Sequence, residues 1–158
     1  MMIEIERKFL VKSEDFKKEA YKKTFFVQAY LNTDPERTIR IRITDDHAFM
    51  TIKGRSTENG LSRFEWEKEI PVSEAKELLK LCEPGKIEKY RYLIKQNDHL
   101  YEVDEFLGDN QDLILAEVEL QQEEEEFSRP QWLGEEVTGD INYYNSNLIN
   151  NPYKNWKQ

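Results

Sequence analysis

Glu4, Glu6 and Lys8 stand at a spacing of two near the start of the chain. In a β-strand that spacing sends all three side chains to one face. The same period returns in Arg40 and Arg42, in Lys53, in Glu65 and Glu67, in Lys89 and Arg91, in Glu102 and Asp104, and in Glu117 and Glu119. Ile, Phe, Trp, Tyr and Val occupy the alternate positions. Arg forks match phosphate oxygens two at a time, and Lys adds a compact point charge. Carboxylates alone would repel a polyphosphate, so acids and bases on one face imply cations between them. Mg²⁺ takes oxygen ligands and binds through a few carboxylates plus substrate phosphates. The ligand this face suits is a polyphosphate with a divalent metal.

The plain alternative is an antiparallel sheet with one wet face and one packed face. Two features weigh against it. A wet face mixes Thr, Ser, Gln and Lys, whereas this one is heavy in Glu and Arg. About seven or eight such strands are also more than an open twisted sheet holds without curling. Curled with its apolar face outward and covered by helices, the sheet becomes a barrel with a charged, water-filled lumen. Buried charges must then pair or meet ions. Eight acids and six bases would pair in part and still hold a ligand. Zinc has no His or Cys cluster to bind it: His47 and His99 fall in expected hairpin turns, and the one cysteine, Cys82, has apolar neighbours. No Gly-rich phosphate loop is present.

The elements that must position these residues are legible in outline. "KSEDFKKEAYKK" predicts a helix capped by Ser13, with Phe16, Ala20 and Tyr21 on one face. "FFVQAYL" reads as a buried strand containing Gln28 and Tyr30. "DPERTIRIRITDDHAFMTIKGRS" predicts a hairpin turning at "TDDH", and "RFEWEKEIP" alternates again. "SEAKELLKLC" predicts a helix capped by Ser73, with Ala75, Leu78, Leu79 and Cys82 inward. A second hairpin turns at "QNDH", "LILAEVEL" is a further strand, and the tail from Arg129 predicts two short helices and a polar end. The acidic run Glu123 to Glu126 reads as a solvated loop or helix start.

The chain has 158 residues, which suits a single domain over 1–158. Its net charge of -9 argues against a nucleic-acid or acidic-membrane partner. No apolar run approaches a membrane span, and no signal peptide is visible, so a cytoplasmic setting is expected. A homodimer is compatible with the sequence.

At this point the motifs resemble a known family. "EIERKFLV" is similar to the Glu-x-Glu-x-Lys signature of the CYTH superfamily, the triphosphate tunnel metalloenzymes. "RTIRIRI", "MTIKG", "LSRFEWEKEIP", "IEKYRYLI", "YEVDEF", "LAEVEL", "WLGEEVTGD" and "YYNSNL" resemble the short bacterial pattern in the same order. The resemblance implies an α+β fold: an eight-stranded antiparallel closed β-barrel, or tunnel, with a charged lumen and helices packed outside. It also implies metal-dependent hydrolysis of a triphosphate with Mg²⁺ or Mn²⁺. By position, Glu4 and Glu6 with Glu117 and Glu119 would hold metal, Glu65 and Glu67 look like a second acidic cluster, and Asp104 would add to the acidic wall. Lys8, Arg40, Arg42, Lys53, Lys89 and Arg91 look like phosphate clamps, and Glu4, Glu6, Lys8 and Lys53 like the catalytic set.

The substrate expected is inorganic tripolyphosphate, which needs only charges. A nucleoside or thiamine triphosphatase, or a class IV-type adenylyl cyclase, stands behind it, because no aromatic slot for a base is evident. A non-enzymatic polyphosphate-binding module would keep the bases and lose the acids. One departure is Asn142, where many relatives carry Arg before an Asn-rich stretch. It matters if that Arg shapes the tunnel mouth and not if it only starts a helix.

Overall fold

Each alternating stretch forms a strand because its apolar residues can share one face with those of its neighbours. The structure is a computed structural model that describes residues 2–156. Its strands are β1 (Ile3–Val11), β2 (Lys22–Asn32), β3 (Arg37–Thr44), β4 (His47–Gly54), β5 (Ser62–Ile70), β6 (Ile87–Gln96), β7 (His99–Phe106), β8 (Ile114–Glu119) and β9 (Leu133–Glu136). The helices are α1 (Phe16–Glu19), α2 (Val72–Leu79) and α3 (Asn145–Asn150). Strands run in the order β5-β4-β3-β2-β6-β7-β8-β1, and β1 returns to β5 through Ile3–Phe64, Glu4–Arg63 and Ile5–Ser62. Every pairing is antiparallel. The result is the expected closed eight-stranded barrel. β9 adds to the second half of β1, pairing Phe9 with Glu136 and Val11 with Leu133.

The apolar faces point outward and are covered there. Phe9, Tyr101, Val103, Ala116 and Val118 of β1, β7 and β8 are buried beneath Phe16 and Trp132. The Trp132 ring meets Phe16 and Tyr101 edge-on, at centroid distances of 5.8 and 5.5 Å. Ala75 of α2 packs with Ile41 and Ala48 over the β3–β4 hairpin. Leu148 of α3 seats among Ile87, Phe106, Leu113, Leu115 and Val137. Among the described residues, no helix is long and apolar enough to cross a membrane.

Local readings differ in several places. α1 is one turn, with Asp15 rather than Ser13 at its N-cap. The β2–β6 ladder begins at Lys22, opposite Leu93, and draws the following residues into a strand, leaving Tyr21 54% exposed. α2 starts at Val72 with Pro71 as N-cap, so Ser73 lies inside the helix. Cys82 lies beyond the end of α2, half-buried against its apolar cluster. β9 lies in the tail where two short helices and a polar end are expected; "LGEE" carries only one apolar residue, and the open edge of β1 recruits it as a strand. The acidic run is not simply solvated: Glu123 accepts from Ser62 and Asn59, and Glu125 from His99 and the Gln121 amide.

Two turns meet backbone to backbone beside the barrel. Gly60, between β4 and β5, has φ +76°, and Gly139, after β9, has φ +81°. A Cβ on Gly60 would stand 2.2 Å from the Gly139 Cα, where neither chain can yield. Gly60→Ala is expected to lower stability by about 1–3 kcal/mol, read as a fall in melting temperature. An unchanged melting curve would show that the two turns do not hold each other.

Candidate functional site

The inward strand faces enclose a cavity of about 200 Å³. Glu4, Glu6, Lys8, Arg40, Arg42, Lys53, Glu65, Glu67, Lys89, Arg91, Glu117 and Glu119 all line it. The barrel order sorts them into two walls. β3 and β6, flanking β2, carry Arg40, Arg42, Lys89 and Arg91. β5, β1 and β8, contiguous on the other side, carry Glu65, Glu67, Glu4, Glu6, Glu117 and Glu119. Lys8 and Lys53 stand at the acidic side: Lys8 is cross-strand from Glu117, and Lys53 from Glu65.

The acidic wall holds more negative charge than its lysines offset. Burial pushes the Glu6 carboxyl well above its ordinary range, and Glu117 and Glu4 push it further. Burial and then Glu4 raise Glu65, and burial with Glu4, Glu102 and Glu65 raises Glu119. Burial also acts on Glu4, but Lys53 at 2.9 Å overrides it and holds that carboxyl low. Glu117 is drawn down to about 2 against its burial by Lys8, by the Glu6 hydrogen bond and by Arg91. The Glu6 and Glu117 carboxyls act on each other, as do those of Glu4 and Glu65. In each pair one carboxyl is raised and the other lowered, as when two neighbouring carboxyls share a proton.

Among the described residues, no three His, Cys, Asp or Glu side chains are drawn together as metal ligands. The carboxylates stand as pairs instead. Their chemistry still fits a hard divalent cation: the donors are all oxygen, desolvated and mutually repelling, and a cation would relieve what a shared proton relieves here.

The basic wall has the opposite shortage. Burial, with Arg40 and Arg91 beside it, brings the Arg42 guanidinium down to about 9. Its hydrogen-bond partner is a neutral amide, Gln28 Oε1, at 3.2 Å. Arg40 meets Thr51 at 3.1 Å and Glu67 at 3.5 Å, and its buried Nε has no partner among the described residues. Burial lowers Lys89 to about 7, with Arg91 and Arg42 adding to the effect and Asp104 opposing it. An anion placed here would satisfy donors that the protein leaves open.

Asp104 does not join the acidic wall. Expected there as a metal ligand, it is 2% exposed and absent from the cavity lining. Its two oxygens receive Arg91 Nε at 2.8 Å, Arg91 Nη2 at 2.9 Å and Lys89 Nζ at 2.7 Å. Two adjacent cations drew it behind the basic wall, and its carboxyl is held far below the ordinary range despite its burial. Arg91 also reaches Glu102 at 3.3 Å, so it is the most heavily paired of the basic residues. Asn142 is exposed and outside the lining; its backbone N–H donates to Asp140 Oδ1 in a 3-10 turn, so the substituted position does not shape the cavity.

Several lining residues were missed or left open. Arg63 lies in phase with Glu65 and opposite Glu4, and extending the period one step back finds it. Tyr30 faces the cavity, whereas Gln28 is fully buried beside it. Thr138, Tyr144, Asn145 and Ser146 reach the cavity from the C-terminal segment. The Tyr144 ring lies under Lys8 Nζ at 5.0 Å, and its hydroxyl is 3.1 Å from Ser56 Oγ. No sequence period could place that segment, because tertiary packing of Leu148 sets its position.

Comparison with known proteins agrees with this architecture. Residues 2–153 match the CYTH domain model. The chain is 48% identical over 156 residues to an inorganic triphosphatase of Acetivibrio thermocellus, covering 98% of each. It is 40% identical over 151 residues to an inorganic triphosphatase of Nitrosomonas europaea, covering 93% of this chain and 97% of that one. A crystal structure of an inorganic triphosphatase, 36% identical, superposes with a TM-score of 0.64 over 92% of this chain and 96% of that one. With the closed barrel, the two charged walls and a family match over nearly its whole length, this chain belongs to the CYTH domain family.

Proposed function

We propose that this protein hydrolyses inorganic tripolyphosphate in a reaction that depends on Mg²⁺ or Mn²⁺. The observation that carries the reading is the double shortage in one cavity. One wall crowds guanidinium groups and leaves the Arg40 Nε without a partner among the described residues, and the other carries more carboxylate charge than its two lysines offset. A metal–polyphosphate fills both. The relatives that are inorganic triphosphatases support the same substrate.

In this reading, Glu4, Glu6, Glu117 and Glu119 hold the cation, with Glu65 and Glu67 as the neighbouring acidic cluster. A divalent cation there would offset phosphate charge and activate the attacking water. Arg40, Arg42 and Lys89 bind phosphate oxygens, and their fixed positive charge stabilises the charge spread over the transferred group. Lys8 and Lys53 bind phosphate from the acidic side, each ion-paired to a carboxylate there and facing the cavity. Water oxygen bonds to the terminal phosphorus, the bridging P–O bond breaks, and orthophosphate and pyrophosphate leave. No covalent nucleophile is required.

The test is phosphate release from tripolyphosphate, ATP and thiamine triphosphate with Mg²⁺ or Mn²⁺. Release from tripolyphosphate should exceed the other two by about tenfold or more, because the lining is mostly charged and rewards phosphate oxygens more than a base. EDTA should abolish it. Equal rates on ATP would make this a general triphosphatase, and no release from any substrate would sink the hydrolase reading.

A further inference from the structure

Two neutral amides join the cations of the basic wall. Arg42 Nε lies 3.2 Å from Gln28 Oε1, and Gln28 Nε2 lies 2.9 Å from Asn145 Oδ1. Lys89 Nζ lies 2.8 Å from the same Asn145 oxygen. Arginine and ammonium groups only donate hydrogen bonds, so both ends of this chain demand an acceptor. Gln28 must turn its oxygen to Arg42 and therefore its NH₂ to Asn145. Asn145 must then receive both Gln28 and Lys89 on its oxygen. The chemistry of the neighbours sets both amide orientations. It leaves the Asn145 NH₂ without a partner among the described residues, on a side chain that lines the cavity.

A brace alone would not be built this way. Next to the buried Lys89, a carboxylate at this position would accept the same two bonds and add a charge of the right sign. An amide forgoes that gain. What it has and a carboxylate lacks is a pair of N–H donors, and those have no partner among the described residues, on a residue that lines the cavity. We propose that Asn145 is a substrate-binding residue: its NH₂ donates to an oxygen of the same phosphate group that Lys89 and Arg42 hold. This assignment rests on the triphosphate reading above. It makes the C-terminal segment part of the site rather than a cover for the barrel.

Asn145→Asp and Asn145→Ala separate donor from brace. Aspartate has the same shape and keeps both bonds to Gln28 and Lys89, but it turns an oxygen toward the phosphate. Alanine removes brace and donor without adding repulsion. The measurements are KM and kcat for tripolyphosphate with Mg²⁺, tripolyphosphate affinity by calorimetry in EDTA, and the melting temperature of each protein. Expected is a loss of affinity of about tenfold or more in Asn145→Asp, at an unreduced melting temperature, with Asn145→Ala weakened less. Asn145→Asp binding as tightly as the wild type, or Asn145→Ala binding more weakly than Asn145→Asp, would overturn the proposal in favour of a brace. A wild type that binds tripolyphosphate without releasing phosphate would refute hydrolysis, and the order of affinities would still decide the role of Asn145. A wild type that does not bind it would refute both.

Discussion

Glu6→Gln is expected to cut tripolyphosphate turnover by about a hundred- to a thousandfold, the scale set by removing one preorganised charged contact to a transition state. It should do so without loss of thermal stability in EDTA. Glutamine has the shape of glutamate, and it takes away a carboxyl that burial, Glu117 and Glu4 already push toward its neutral form. Removing a repelled, desolvated charge relieves the fold rather than weakening it. Metal addition should then separate the two proteins: Mn²⁺ raises the melting temperature of the wild type and raises that of the variant less, by the linkage between binding and stability. Turnover within about tenfold of wild type would remove Glu6 from the reaction. A clear drop in melting temperature in EDTA would show that the Glu6–Glu117 contact is structural.

Asp104→Asn should show the reverse pattern, with stability as the main loss. The carboxylate is the buried counter-ion of both Arg91 and Lys89. Removing one partner of such a network leaves the others charged and desolvated, at a cost of about 3–5 kcal/mol. For a chain of this length that is roughly 6–20 °C in melting temperature. The pH dependence has a definite sign. The folded-state pKa of Asp104 is depressed below its ordinary value of 3.8, so below that value the unfolded chain binds more protons than the folded one. The stability from Asp104 is therefore fully present above about pH 4 to 5, and it is lost as pH falls toward the folded-state pKa. Wild type and Asp104→Asn should differ most above pH 5 and converge in strong acid. A constant difference down to pH 2, or a melting shift under 2 °C at pH 7, would contradict this account.

These two carboxylates show where one-dimensional pattern stops being informative. Glu6 and Asp104 both lie in phase with charged neighbours, at positions 4 and 8 for Glu6 and 102 for Asp104. Alternation places both inward and says no more. Glu6 ends among acids because β1 lies between β8 and β5; Asp104 ends among bases because β7 lies beside β6, with Arg91 directly opposite. The difference comes from strand order, and strand order follows from closure of the barrel. The same limit explains Asn145. Its spacing carries no period that points to a site, and it reaches Lys89 across 56 positions of sequence.

The amino-acid sequence by itself determined the eight barrel strands in outline and the side of each that would be charged, and of its thirteen candidate site residues twelve line the cavity. It could do so because a period of two is local: each peptide unit turns its neighbour's side chain to the opposite face whatever lies beyond. Only the tertiary structure decided which charges face each other and which are neutralised behind the wall. It alone also recruited β9 to the open edge of β1 and brought the C-terminal segment into the cavity. Those outcomes depend on closure, on burial and on the pairing of charges from distant strands. Burial and Coulomb energies are fixed by distance in space, and separation along the chain does not record it.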